Sequence, residues 1–166
     1  MPGPSRRLWL AQCAATVLSA GCGFELRRPP ELPFRTLCIS GFKPTSGMGV
    51  AVRRALVYSP TTRLVAEPGQ AEAVMEILGD AEERSVVAFT SAGQVREVQL
   101  RQRLTFRLVT PLGRELIPRT EILQTRDMTY NEKDALAKEQ EEQLLNRAMQ
   151  DDIALQVMRR LAAVKL

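Results

Sequence analysis

The chain of 166 residues contains no histidine. That removes the side chain most often used as a general base or metal ligand near neutral pH. No nucleophile motif stands out, and no glycine-rich phosphate loop is present. Gly47 and Gly49 precede a helical pattern, but without the lysine such a loop needs. The adjacent pair Glu141 and Glu142 lies in a charged helical stretch, where carboxylates are ordinarily just solvated. No apolar run reaches the ~20 residues of a membrane-spanning helix. Internal repeats are also missing. Together these absences argue against an enzyme and against any cofactor or metal centre.

What is present begins at the N-terminus. Arg6 and Arg7 form a basic flank, and Leu8 to Ser19 form a short apolar run interrupted by Gln12. Small residues Ala20 and Gly21 then precede Cys22. This is the anatomy of an export signal, residues 1–21. A cysteine straight after Ala-Gly is the lipoprotein pattern, so Cys22 is expected to be the first mature residue and the site of lipidation. Ser19 stands where a leucine is usual, and Leu18 lies one place further back. Gly23 follows the cysteine in place of an aspartate that would favour retention in the inner membrane. The expected location is therefore the outer membrane, lipid-anchored on the periplasmic side.

Removal of residues 1–21 leaves enough chain for one domain with one core. The whole chain has 23 basic and 19 acidic residues, and two of the basic ones, Arg6 and Arg7, leave with the signal. The mature charge is nearly balanced, which with export argues against nucleic acid as a partner. Cys13 also leaves and Cys22 is acylated, so Cys38 has no disulfide partner. Flanked by Leu37 and Ile39, it reads as a small buried hydrophobe.

Pro29, Pro30 and Pro33 exclude helix, and residues 22–35 are expected to form a lipidated N-terminus and extended tether. A single α+β domain is expected over 36–166. Thr36 to Phe42 read as a strand. Ser46 is a candidate N-cap for a helix from Gly47 to Tyr58, with Met48, Ala51, Val52, Ala55 and Leu56 as its apolar stripe. Residues 71–78 read as a strand and 85–89 as its continuation or a second piece, interrupted by a polar insert at 79–84. In 97–109 the even positions are Val98, Leu100, Gln102, Leu104, Phe106 and Leu108, while arginines occupy several odd ones. That is period-two alternation, broken only at Gln102. A further strand is expected at 115–125, with Pro118 marking an edge or a bulge. From Asn131 the pattern becomes helical. Leu145, Met149, Ile153, Val157, Leu161 and Val164 form one apolar stripe. A second seam, Leu144, Ala148, Leu155, Met158 and Ala162, predicts a helix covered on more than one side. The expected fold class is α+β, a two-layer sandwich of a mostly antiparallel four-stranded sheet with two helices on one face.

Arginines concentrate in the middle of the chain: Arg96, Arg101, Arg103, Arg107, Arg114, Arg119 and Arg126. Cross-strand pairing with Glu97, Glu115, Glu121 and Asp127 is one explanation. The other is recognition of phosphates or carboxylates, which guanidinium groups match bidentately. For an outer-membrane lipoprotein the available anionic amphiphile is lipopolysaccharide.

Several stretches resemble one family. Cys22-Gly23-Phe24-Glu25-Leu26-Arg27 resembles the mature start of the LptE family of lipopolysaccharide-assembly lipoproteins, with Glu25 where histidine is usual. Pro111-Leu112-Gly113-Arg114-Glu115-Leu116-Ile117-Pro118 resembles that family's turn between two strands. Ala135-Leu136-Ala137-Lys138-Glu139, followed by Met149, Asp152 and Gln156, resembles its last helix. The resemblance implies a non-enzymatic plug inside the LptD outer-membrane β-barrel that helps the barrel assemble. It also implies direct binding of lipopolysaccharide during insertion into the outer leaflet. Lys138 falls in the matching helix motif and Arg96 beside a turn; with Arg101 and Arg103 they are the candidate lipopolysaccharide-binding residues. The alternatives are a freestanding periplasmic lipid-binding or lipid-shuttling lipoprotein, which needs an apolar cavity, and a periplasmic enzyme.

Overall fold

A computed structural model describes residues 30–165. The export signal and Cys22 lie outside the described residues. The alternating stretch forms β4 (Val95–Val109), the strand on which the sheet is built. Val98, Leu100, Gln102, Leu104, Phe106 and Leu108 are all buried on one face. Arg101, Arg103 and Arg107 point to the other. Antiparallel partners flank it on both sides, β3 (Ala73–Phe89) and β5 (Glu115–Thr129). The hairpin turns use Gly93 and Gly113 at φ of 79° and 87°, a left-handed conformation that side chains with a Cβ rarely adopt.

The sheet differs from expectation in strand count and direction. It has five strands in the order β2-β1-β3-β4-β5. β1 (Thr36–Ser40) runs parallel to both β2 (Arg63–Val65) and β3, so the sheet is mixed. Helix α1 (Gly47–Val57) supplies the crossover that parallel neighbours require. β2 is only three residues long, too short for any period to show. Antiparallel pairing holds for β3 to β5 alone.

β3 is also continuous through the polar stretch 79–84. The pairing register shifts between Ile77 and Gly79. Before the shift Met75 and Ile77 share the helix-covered face with Leu108 and Phe106. After it Asp80, Glu82 and Arg84 lie opposite Leu104, Gln102 and Leu100. An extra residue at this bulge has exchanged the faces. The polar side chains stay in the strand because polar groups on the helices receive them. At Gly41, φ is 96°, and an added Cβ would lie 2.5 Å from the Ile77 carbonyl oxygen, so the chain leaves β1 close against this bulge.

β5 runs past the expected end at 125 to Thr129. Pro118 sits where the β4 pairing shifts between Thr120 and Ile117, on the edge strand of the sheet. Proline's missing N–H is tolerated there because no neighbouring strand needs it.

Both helices pack on one face. α1 is capped as expected: the Ser46 hydroxyl accepts from the Gly49 N–H at 2.8 Å. Its residues Met48, Ala51, Val52 and Leu56 are buried. The terminal helix α2 (Ala135–Ala162) begins after a single 3-10 turn at Glu132–Asp134. Met149, Ile153, Val157 and Leu161 join Leu37, Met75, Leu104, Phe106 and Leu108 among the buried apolar residues. The second seam is covered only in part: Met158 is buried and Ala162 packs against the core, while Leu144 and Leu155 are 65% and 54% exposed. A sheet under only one side of the helix leaves those two leucines nothing to pack against. At the opposite face, Cys38, Ala71, Val74 and Val109 form a small separate cluster. Leu32 and Phe34 are buried in the main core, so packing reaches back into the segment expected to be a tether.

No described helix is long and apolar enough to cross a membrane.

Candidate functional site

The open face of β3, β4 and β5 carries a row of charged side chains. Alternation sends Arg101, Arg103 and Arg107 to this face, and the register brings acids beside them. The Arg107 Nε donates to the Glu76 carboxylate at 2.6 Å. Arg103 pairs with Glu83 across the same two strands. Arg101 donates from Nε to the Gln99 side-chain oxygen at 2.7 Å, and Gln99 in turn donates to Asp127 at 2.9 Å. Cross-strand pairing therefore accounts for Arg103 and Arg107. Among the described residues Arg101 forms no ion pair with a carboxylate. Exposed pairs of this kind contribute ~0.2–1 kcal/mol each, so an anionic group can displace them at small cost.

Arg96 and Lys138 lie elsewhere. Arg96 is exposed, and its backbone carbonyl accepts from the Tyr130 N–H at 2.8 Å. That bond ties the start of β4 to the segment entering α2. Lys138, in the first turns of α2, is largely covered, with a side chain 19% exposed. Its ammonium donates to Glu141 at 2.8 Å and to the Thr129 hydroxyl at 3.4 Å. The four candidates thus fall into two groups: Arg101 and Arg103 in the row on the open face, and Arg96 and Lys138 at the junction of β4, β5 and α2. Among the described residues, none of the four lines the cleft beside α2.

Under the first half of α2 lies a polar seam that sequence reasoning missed. Buried Gln102 donates to Asn146 at 3.2 Å, and Asn146 donates to Glu82 at 3.0 Å. Arg84 donates to Glu142 at 3.1 Å and lies 5.5 Å from the centroid of the Tyr130 ring. The Ser46 hydroxyl donates to Asp80 at 2.5 Å, so the capping residue of α1 also grips β3. Glu82, Arg84, Tyr130, Glu142 and Asn146 border a cleft of about 540 Å³, with Leu136 and Glu139 among its other lining residues. Gln102 was the available signal: a polar residue at an otherwise apolar position needs a buried partner. The partners lie far away in sequence, which hid the seam.

Cys38 donates its S–H to the Ala66 carbonyl at 3.4 Å. Burial pushes its thiol pKa up, and the nearby Glu67 charge adds to the shift. The thiolate is suppressed, so the group is unreactive at neutral pH. Among the described residues no cluster of acids and cysteines is arranged to hold a metal ion. The carboxylates of Glu76, Asp80, Glu82 and Glu142 all accept hydrogen bonds.

The fold and its charged surfaces define a small α+β domain of a kind seen in bacterial lipoproteins. Lipoprotein B of Nitrosomonas europaea superposes with a TM-score of 0.71 at 30% identity, over 85% of this chain and 91% of that one. The rare lipoprotein B of Shewanella oneidensis shares the fold, with a TM-score of 0.66 at 23% identity over 78% of this chain and 95% of that one. Residues 34–161 match the family LptE, lipopolysaccharide-assembly, and the chain belongs to that family. It is 32% identical to the LPS-assembly lipoprotein LptE of Yersinia enterocolitica over 96% of this chain and 77% of that protein. The corresponding protein of Photorhabdus laumondii is 28% identical over 96% of this chain and 87% of its own length.

Proposed function

We propose that the chain is a non-enzymatic lipoprotein of the outer membrane that helps to assemble and plug an LptD-type β-barrel and binds lipopolysaccharide on its way to the outer leaflet. The observation carrying this reading is the family match across almost the whole folded domain, residues 34–161. Relatives matched over nearly the full chain are LPS-assembly lipoproteins. Lipidation at Cys22 would hold the domain at the membrane, since more than one acyl chain anchors stably at ~0.8 kcal/mol per buried methylene. The arginine row and the Arg96–Lys138 end offer guanidinium and ammonium groups to phosphate. Arg96 and Arg101 are the readier donors, because Lys138 must first exchange Glu141 for the ligand.

A freestanding lipid carrier needs an apolar cavity, and the cleft beside α2 is lined mostly by polar side chains. Copurification without crosslinking tests the proposal. A one-to-one complex with a large β-barrel is the expected result, and a monomer carrying lipid would sink it. In the same preparation Arg96→Asp with Lys138→Asp should weaken lipopolysaccharide binding about tenfold, as loss of charge-assisted bonds implies. Unchanged binding would move the site to Arg101 and Arg103 or beyond.

A further inference from the structure

We infer that the domain rests on the phospholipid surface of the periplasmic leaflet by one end of its sheet, through Leu112, Val57 and Tyr58. The inference builds on the lipidation at Cys22 proposed above and adds which end turns to the bilayer. Strand pairing brings three separate segments to that end. β1 starts at Thr36, opposite Arg63 at the start of β2. Leu37 lies opposite Ala73 at the start of β3, and Val74 lies opposite Val109 at the end of β4. The chain entry, the link from α1 to β2 and the β4–β5 turn therefore share one end of the molecule. Apolar side chains stand in the open there. Leu112, in the turn, is 98% exposed, and Val57 and Tyr58, where α1 stops, are 72% and 68% exposed. The exposed charges beside them balance: Arg35, Arg63 and Arg114 with Glu31, Glu72 and Glu115. An apolar set with one tyrosine and no net charge suits the interfacial layer of a zwitterionic bilayer, where tyrosine is enriched.

Chain length decides between the two ends. Leu32 is buried in the main core, which fixes the chain at that point. Ten residues separate it from Cys22, and fully extended they span at most ~35 Å. The opposite end also shows an apolar side chain, Phe89, which is 62% exposed and pairs with Val95 at the start of β4. From Val109 back to Arg96 the strand measures ~43 Å at ~3.3 Å per residue. A domain standing on the Phe89 end would stretch the tether beyond its reach. On the Leu112 end the tether stays slack. It holds the apolar groups near the surface at an effective concentration of about millimolar, so a contact too weak for a free protein becomes populated. One copy suffices. The contact lies at the periplasmic mouth of a barrel, outside its lumen, and so fits a one-to-one plug. It also turns the Arg96–Lys138 end away from the leaflet that holds the lipid.

The test uses the mature lipidated chain in phosphatidylcholine vesicles with brominated acyl chains, which quench tryptophan on contact. The only tryptophan, Trp9, lies in the export signal, so each introduced one reports alone. Leu112→Trp and Tyr58→Trp replace exposed side chains and should shift emission to the blue and lose most of it to the bromines. Phe89→Trp and Leu155→Trp should keep the emission they have in vesicles without bromine. Adding Leu112→Asp to Tyr58→Trp should restore much of the lost emission while the chain still sediments with the vesicles. Raising the salt should change none of this, because the contact is apolar. Unquenched tryptophan at 112 in a chain that sediments with the vesicles would overturn the inference and leave the lipid anchor standing. Equal quenching at 89 or 155 would overturn it as well. A chain that stays in the supernatant would remove the anchor, and both readings would fall together.

Discussion

The two ends of α2 rest on the same sheet through different interactions. Toward the C-terminus Ile153, Val157, Met158 and Leu161 share one buried cluster with Leu104, Phe106 and Leu108. Toward the N-terminus Lys138, Glu142 and Asn146 reach Thr129, Arg84 and Glu82 through hydrogen bonds and ion pairs. The bulge in β3 sets the boundary, because it turns Asp80, Glu82 and Arg84 toward the helix. Apolar burial is worth ~25 cal/mol per Å², whereas exposed ion pairs contribute ~1 kcal/mol or less each. The C-terminal end therefore carries the stability. The N-terminal end fixes geometry at low energy and leaves Leu136 exposed.

Three substitutions probe that division. Ile153→Ala, at a fully buried site, should lower unfolding stability by about 3 kcal/mol, the usual cost of a large-to-small change in a core. Urea titration measures it; a loss under 1 kcal/mol would mean that the C-terminal end is not the anchor. Gln102→Ala should cost about 2 kcal/mol, since it orphans a half-buried partner and opens a small void. Hydrogen exchange should show the added opening first in the early turns of α2, with little change near Leu161. Uniform loss of protection would mean that the two ends open together. Arg84→Ala should change stability by less than about 1 kcal/mol, with a difference that shrinks as salt is added, because the Arg84–Glu142 pair is partly exposed. A salt-independent loss above 2 kcal/mol would instead make the polar end a second anchor.

Much of the fold was legible in the residues. Alternation placed β4 and both of its faces, Ser46 marked the start of α1, and Pro118 marked an edge strand with a bulge. Periods carry such information because burial on one side imposes them. β2 escaped because three residues have no period. Continuity of β3 escaped because its polar stretch looks like a loop until its partners on α1 and α2 are known. The second seam of α2 misled for a related reason: Leu144 and Leu155 have the spacing of a buried stripe, yet no layer covers them. Arg101, Arg103, Arg96 and Lys138 were legible as charges. Their separation into two groups was not.

Sequence alone determined the absence of histidine chemistry, the α+β alternation of elements, the apolar face of β4 and the stripe from Met149 to Leu161. Each depends on residue type or local spacing, which one strand or helix expresses by itself. Tertiary structure decided the mixed sheet, the exchange of faces at the β3 bulge, the polar seam from Gln102 through Asn146 to Glu82, and the exposed edge of β5. Those depend on which distant residues become neighbours, and backbone pairing between strands, rather than any local pattern, sets that choice.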